Sequence, residues 1–301
     1  MQQSESPMKP SFAIIGCGRV GTALARYLSK AGYQPAGFAS RSRESALHAA
    51  QIAGAEDAVY DQVWEAAAKA DVVFITTSDQ AIAVTCQSIA ENGGFQENAA
   101  VLHCSGALSS NILSAAGQCG AAIGSMHPLQ SFAAVTEENP FAGIKMAIEG
   151  EAGAVAQAGK MAEALGAEPI SIQTEGKTLY HAAAVVASNY LVTLLRLSFD
   201  LLKASGVPES EAYGVLTPLI GGTLKNVEQV GIPEALTGPI ARGDAATVAD
   251  HLAAIRELSP EAADLYTRLG LATIDIATAK GTLPQEGADR LAELFTRQKG
   301  E

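Results

Sequence analysis

The segment KTLYHAAAVVASNYL, residues 177–191, sets Lys177, His181, Ser188 and Asn189 into a run of alanine and valine. On a helix turning 100° per residue, Lys177, His181 and Ser188 fall within about 40° of one another and Asn189 about 80° to the side, a stripe roughly 16 Å long. Imidazole is the side chain that most readily exchanges a proton near neutral pH. His181 therefore suits a general acid or base beside a carbonyl or imine. Lys177, one turn earlier, suits holding a carboxylate or biasing the histidine, and Asn189 suits orienting a reactant. A structural account stands beside this one: Ser188 and Asn189 bond to neighbouring helices and Lys177 is solvated.

Two further histidines close short apolar runs. AAVLHCS, 99–105, ends in His103, Cys104, Ser105 and Gly106, and AAIGSMHP, 121–128, ends in His127 and Pro128. A hydroxyl and free amides at Ser105 and Gly106 can cradle a carboxylate or border a cofactor. Pro128 fixes the backbone beside His127, which can then donate to a substrate oxygen. DVVFITT, 71–77, is followed by Ser78 and Asp79. Thr77 and Ser78 are placed to border a ribose, and Asp79 serves either the cleft or the start of the next helix.

The element that would position these groups starts at AIIGCGRVGTAL. Gly16, Gly18 and Gly21 follow an apolar strand and open a helix, the context in which G-x-G-x-x-G cradles a pyrophosphate. Gly16 makes the tight turn, Gly18 admits the phosphates and Gly21 packs helix on strand. Cys17, Arg19 and Val20 fill the loop, and the helix N-terminus faces the anion. Past the second strand the chain reads Ser40, Arg41, Ser42, Arg43, with no acid before Glu44. Hydroxyls and guanidinium suit a 2′-phosphate, so the cofactor expected is NADP rather than NAD.

Strand-like runs at 11–16, 34–40, 57–60, 71–77, 99–105, 121–128, 145–150 and 168–172 alternate with helical stretches. That alternation predicts a doubly wound, mostly parallel α/β sheet covered on both faces. After residue 174 the strands stop. Helices follow, broken at 206–208, 231–233, 238–239, 259–260 and 283–284, with Pro260 and Pro284 opening helices. The expected layout is a loose tail over 1–9, a Rossmann NADP-binding domain over 10–174 and an all-helical substrate and dimerisation domain over 175–301.

The 301-residue chain carries a net charge of −12, which argues against nucleic acid as a partner. No residues have metal-ligand spacing, and four cysteines without a C-x-x-C fit a reducing cytoplasm. No apolar stretch of about eighteen residues is free of a polar break, so no membrane partner is expected. Apolar helices in the second half point to a homodimer.

AIIGCGRVGTAL, FASRS, LHCSGALSS, GSMHPLQSF, YHAAAVVASNYL and LTGPIARGD together resemble a family of Rossmann-like proteins whose C-terminal half is domain of unknown function 2520. That family is similar to the 6-phosphogluconate-dehydrogenase-like superfamily, with pyrroline-5-carboxylate reductase and ketopantoate reductase as cousins. The resemblance implies a helical, often dimer-forming C-terminal domain and hydride transfer between a nicotinamide and a small substrate. β-Hydroxyacid dehydrogenases and ketopantoate reductase place a catalytic lysine on the first helix of the second domain, with an asparagine one turn later. Here the residue a turn after Lys177 is His181, so the cousins' substrates are not implied and either residue can be the proton donor. The expectation is an NADP-dependent oxidoreductase acting on a small, anionic substrate, with His181, Lys177, His127, Asn189 and Ser105 at the reacting centre. The alternative is an NADP-binding sensor or interaction protein without turnover.

Overall fold

The structure, a computed structural model, describes residues 9–132 and 138–297. The chain folds as two compact units, one up to Ala187 and one from Ser188. The expected loose tail falls mostly outside the described residues. Lys9 is described, and its ammonium donates to the Ala31 carbonyl and lies over the Tyr33 ring.

The first unit is a seven-stranded sheet in the order β2-β1-β3-β4-β5-β6-β7. Its strands are β1 (Ser11–Ile15), β2 (Gln34–Ala39), β3 (Val72–Ile75), β4 (Ala100–His103), β5 (Ala122–Pro128), β6 (Lys145–Gly150) and β7 (Glu168–Ser171). All neighbours are parallel except β5 and β6. β3 is apolar throughout, and β1 and β4 are apolar but for Ser11 and His103 at their ends, because both faces are covered. Phe12, Ile14, Val72 and Phe74 pack on one side with Leu24 and Leu28 of α1 (Arg19–Lys30), Ala46 of α2 (Arg43–Ala53) and Met161 of α6 (Ala152–Ala164). Ala13, Ile15, Val73 and Ile75 pack on the other with α3 (Val63–Ala67), α4 (Asp79–Glu91) and α5 (Ser114–Gln118). Each of the large side chains buried here contributes about 2 kcal/mol.

The third strand expected at 57–60 is not a strand. Glu56–Ala58 forms a 3-10 turn, and only Val59 bridges β2, parallel to Phe38. Two acids and an alanine precede Val59, so the segment has too little apolar pattern to extend the ladder beyond one bridge.

The second unit is helical: α8 (Leu191–Ala204), α9 (Glu209–Val230), α10 (Ile232–Ala235), α11 (Ala245–Leu258), α12 (Pro260–Lys280) and α13 (Gln285–Arg297). Its core gathers Val248, Leu252, Ile274, Leu291 and Phe295. Helix starts follow local chemistry. Ser259 caps α12 by accepting from Ala262 N at 3.1 Å, and Pro260 fills the first helical position. Gly270 lies under Phe295, where a Cβ would meet the ring at 2.2 Å, so α13 packs close on α12.

The helix α7 (Lys177–Val185) continues through a π turn at Val186–Tyr190 into α8. This corrects the expected stripe. A π turn closes i to i+5, so the 100° spacing that aligned Ser188 with Lys177 and His181 does not hold past Val185. The alanine-rich run is also largely open in the single chain: Leu179 is 77% exposed, and Val186 and Tyr190 are exposed. The helical run Thr174–Ala204, whose most apolar 18-residue window has a mean hydropathy of 1.5, is long and apolar enough to cross a membrane by length and composition alone.

Candidate active site

The glycine loop is built as its spacing requires. Gly16 sits at φ +101°, a conformation that L side chains rarely adopt, and a Cβ there would meet Thr77 N at 2.7 Å. A Cβ on Gly21 would come within 2.4 Å of the Gly16 carbonyl, so this glycine lets α1 rest on the loop. Gly18 has nothing within 4 Å of its Cβ position and caps α1 without a side-chain bond. The first amides of α1 are therefore left for an anion.

A groove of about 540 Å³ brings Gly16, Cys17, Gly18, Ser40, Arg41, Ser42, Thr77 and Ser78 together. Thr77 Oγ1 is buried there without a partner. Burial pushes the Cys17 thiol up to about 12, so it is a packing group rather than a nucleophile. Ser42 caps α2 and Arg43 pairs with Asp61, which takes Arg43 out of the groove's chemistry and leaves Arg41 exposed at its rim. Arg19 points instead to an adjoining pocket of about 460 Å³ and donates to the Phe132 carbonyl at 2.9 Å. Val20 packs against the core. The donor set, the strained glycine and the orphaned hydroxyl fit a dinucleotide.

At the carboxyl ends of β4 and β5 the chain assembles a second cluster. Ser105 is occupied internally: its hydroxyl donates to Asp79 at 2.8 Å and accepts from Ala107 N and Leu108 N at 3.1 Å. Asp79 is the first residue of α4, while Ser78 holds the cap position. His103 is fully buried and accepts from Ser105 N through Nδ1 at 3.1 Å. Burial, then the charge of Lys177, pushes His103 down to about 4.

His127 and His181 approach one another over Gly106. A Cβ on Gly106 would lie 2.7 Å from both His127 Nε2 and His181 Nδ1, so only glycine fits beneath them. The two rings stand edge to face with centroids 6.4 Å apart. His127 Nδ1 shares a hydrogen bond with the Tyr180 hydroxyl at 2.8 Å. Burial, then Lys177 and His181, pushes His127 down to about 4, and burial pushes Tyr180 up, so both are neutral at pH 7. When the phenol donates to Nδ1, the remaining imidazole proton sits on Nε2. His181 Nδ1 is buried without a partner.

Lys177 is not solvated. It is 1% exposed, with its ammonium on Ser125 Oγ and 3.7 Å from Glu149 Oε1. Glu149, 2% exposed, accepts from Ser110 N and Ser110 Oγ at 2.8 Å and from Thr174 Oγ1 at 3.0 Å. Burial works against its charge, but hydrogen bonds from Ser110, Ser125 and Thr174 outweigh it and hold the carboxyl below its usual range. Burial holds the Lys177 ammonium below its usual range, against the pull of Glu149. Asn189 and Ser188 lie exposed in the π turn.

The sequence reading missed Tyr180, Gly106 as a contact, and Glu149. The signal for Glu149 was present: it is an acid inside the apolar strand KMAIEG, where an unpaired charge is not tolerated.

Residues 2–128 match the family model of a Rossmann-like domain, and residues 144–273 match that of a domain of unknown function, DUF2520. The chain joins a Rossmann-like domain to a DUF2520 domain. Similar solved structures include a candidate NADP oxidoreductase from Bacteroides fragilis, 27% identical, with a TM-score of 0.71 over 90% of this chain and 100% of that one. A pyrroline-5-carboxylate reductase from Coxiella burnetii is 16% identical, with a TM-score of 0.57 over 95% and 98%. A reductive aminase from Aspergillus terreus, in complex with NADPH and ethyl-5-oxohexanoate, is 14% identical, with a TM-score of 0.58 over 97% and 95%. The last two show a shared fold. No curated protein matches the chain.

Proposed function

We propose that the protein is a cytoplasmic, homodimeric NADP-dependent oxidoreductase that moves hydride to or from a small, anionic substrate. The observation that carries the reading is the loop at Gly16–Gly21, strained at Gly16 and open at Gly18, beside a groove with no acid at its Ser40–Ser42 edge. Gly16, Cys17, Gly18 and the amides at Arg19 and Val20 would hold the diphosphate, with Gly21 seating the helix behind them. Ser40, Arg41 and Ser42 would hold the 2′-phosphate, and Thr77 and Ser78 a ribose. Bound NADP supplies or accepts the hydride. The similarity to a candidate NADP oxidoreductase at 27% identity supports the same reading.

The chain's own chemistry is proton handling at the ends of β4 and β5. His181 is the favoured general acid, because its Nδ1 is buried and unpartnered beside a second imidazole. His127, neutral and tied to Tyr180, orients a substrate oxygen through Nε2. Ser105 acts by fixing the loop that carries Gly106. The charge of Lys177, felt at both His103 and His127, favours an anion nearby. Asn189 would orient the reactant.

Replacing His181 by alanine tests the assignment. The variant is expected to bind NADP as the wild type does. It should lose about 100-fold or more in turnover across a panel of carbonyl and imine substrates, the range for a removed general acid. Unchanged turnover would refute the role.

A further inference from the structure

We propose that Glu149 and Lys177 form a positioning pair that holds His127 and His181 over Gly106, neither of the two touching a reactant. The inference rests on the functional reading above and adds Glu149 to the site. The pair ties together the segments that carry Gly106, His127 and His181. Ser110, which gives Glu149 two hydrogen bonds, lies four residues after Gly106. Ser125, which takes the Lys177 ammonium, lies two residues before His127 on β5 and directly opposite Glu149 in the β5–β6 ladder. Thr174, the third donor to Glu149, opens the turn that starts α7. Lys177 is the first residue of α7, so Tyr180 and His181 follow it by one turn.

Two buried charges are an uneconomical way to gain stability, since apolar residues of similar volume often serve as well or better. What the charges add is register and field. Glu149 uses both oxygens on three donors and a cation, which fixes β6, the turn after β4 and the start of α7 against one another. The groups acting on His127 are Lys177, His181 and Tyr180 from α7, Asp79 from α4 and His103 from β4. Lys177 is the strongest of these charges on His127, and it disfavours protonation. Removing it should let His127 take up a proton at higher pH.

The test follows the histidine ring nitrogens by NMR in NADP-saturated protein, with His127 assigned from its own substitution, beside turnover on the substrate panel. In the wild type, His127 is expected to stay neutral until the pH approaches about 4. The double variant Lys177→Met/Glu149→Gln removes both charges together and so avoids stranding either. Its His127 should bind a proton at least tenfold more tightly, a shift of about one pKa unit. NADP affinity should be unchanged and turnover lowered. If the double variant does not fold, Lys177→Gln, which removes the charge but keeps a donor beside Glu149, should move His127 in the same direction. A His127 titration identical to the wild type in the folded variants, or an ordinary titration in the wild type, overturns the proposal. A wild-type protein that does not bind NADP overturns the functional reading instead, and the histidine titration can still be read without cofactor.

Discussion

At the scale of single residues, the site depends on polar groups placed where solvent does not reach. His103 and His127 are both held neutral, with folded values near 4 against about 6.5 for a free imidazole. Between those two values the unfolded chain binds more protons than the folded one, so stability rises with pH across the window. The contribution is complete above pH 6.5, falls as acid is added and is gone below about pH 4. Urea denaturation at pH 7 and pH 4.5 should show a loss on the order of 2 kcal/mol for each of these rings. His103→Gln should flatten that dependence, and an unchanged pH slope in the variant would count against burial of His103 as the cause. His127 and His181 were legible in the sequence because each has a local marker: a strand end before proline, or a polar group in an alanine helix. Glu149 and Tyr180 matter through partners 28 and 53 residues away, Lys177 and His127, and no local pattern announces such pairs.

Elements were legible wherever hydrophobic period and caps agreed. β3 is a continuous apolar run, β1 and β4 are apolar but for Ser11 and His103 at their ends, and Ser259-Pro260 marks a helix start that the structure repeats. The sequence misled at two places. The run 57–60 has strand-like residues, but Asp57, Glu56 before it and its short length leave one bridge to Phe38. The helix after Lys177 contains a π turn, which residue types alone do not reveal and which turns Ser188 and Asn189 off the expected stripe. On α8 and α9, Val192, Tyr213, Val215, Leu219 and Leu224 are all exposed among the described residues. A patch of that extent argues for a second copy of the chain as its cover. Sedimentation is expected to give a dimer across the micromolar range, and Leu219→Lys to shift it toward monomer. A wild-type monomer at all concentrations would contradict the assignment.

For the whole molecule, the proposed function rests mostly on the glycine loop. The division into an α/β half and a helical half was readable from where strands stop, because parallel strands and surface helices carry different hydrophobic periods. The unit division falls at Ala187 and Ser188, inside the π turn of a helical run that continues from α7 into α8, where no break in the sequence marks it. The substrate was not readable, since proton donors and a hydride cofactor are common to many reductions. The cofactor is the point on which the rest turns. A ligand bound only by the folded protein stabilises it by about 2.7 kcal/mol at one hundred times its dissociation constant. Calorimetric titration of the pure protein with NADP, paired with thermal melting, should give saturable heat and a raised melting temperature. NAD should bind more weakly, and Arg41→Ala should reduce the difference between the two. No heat and no shift with NADP would contradict the account at its centre.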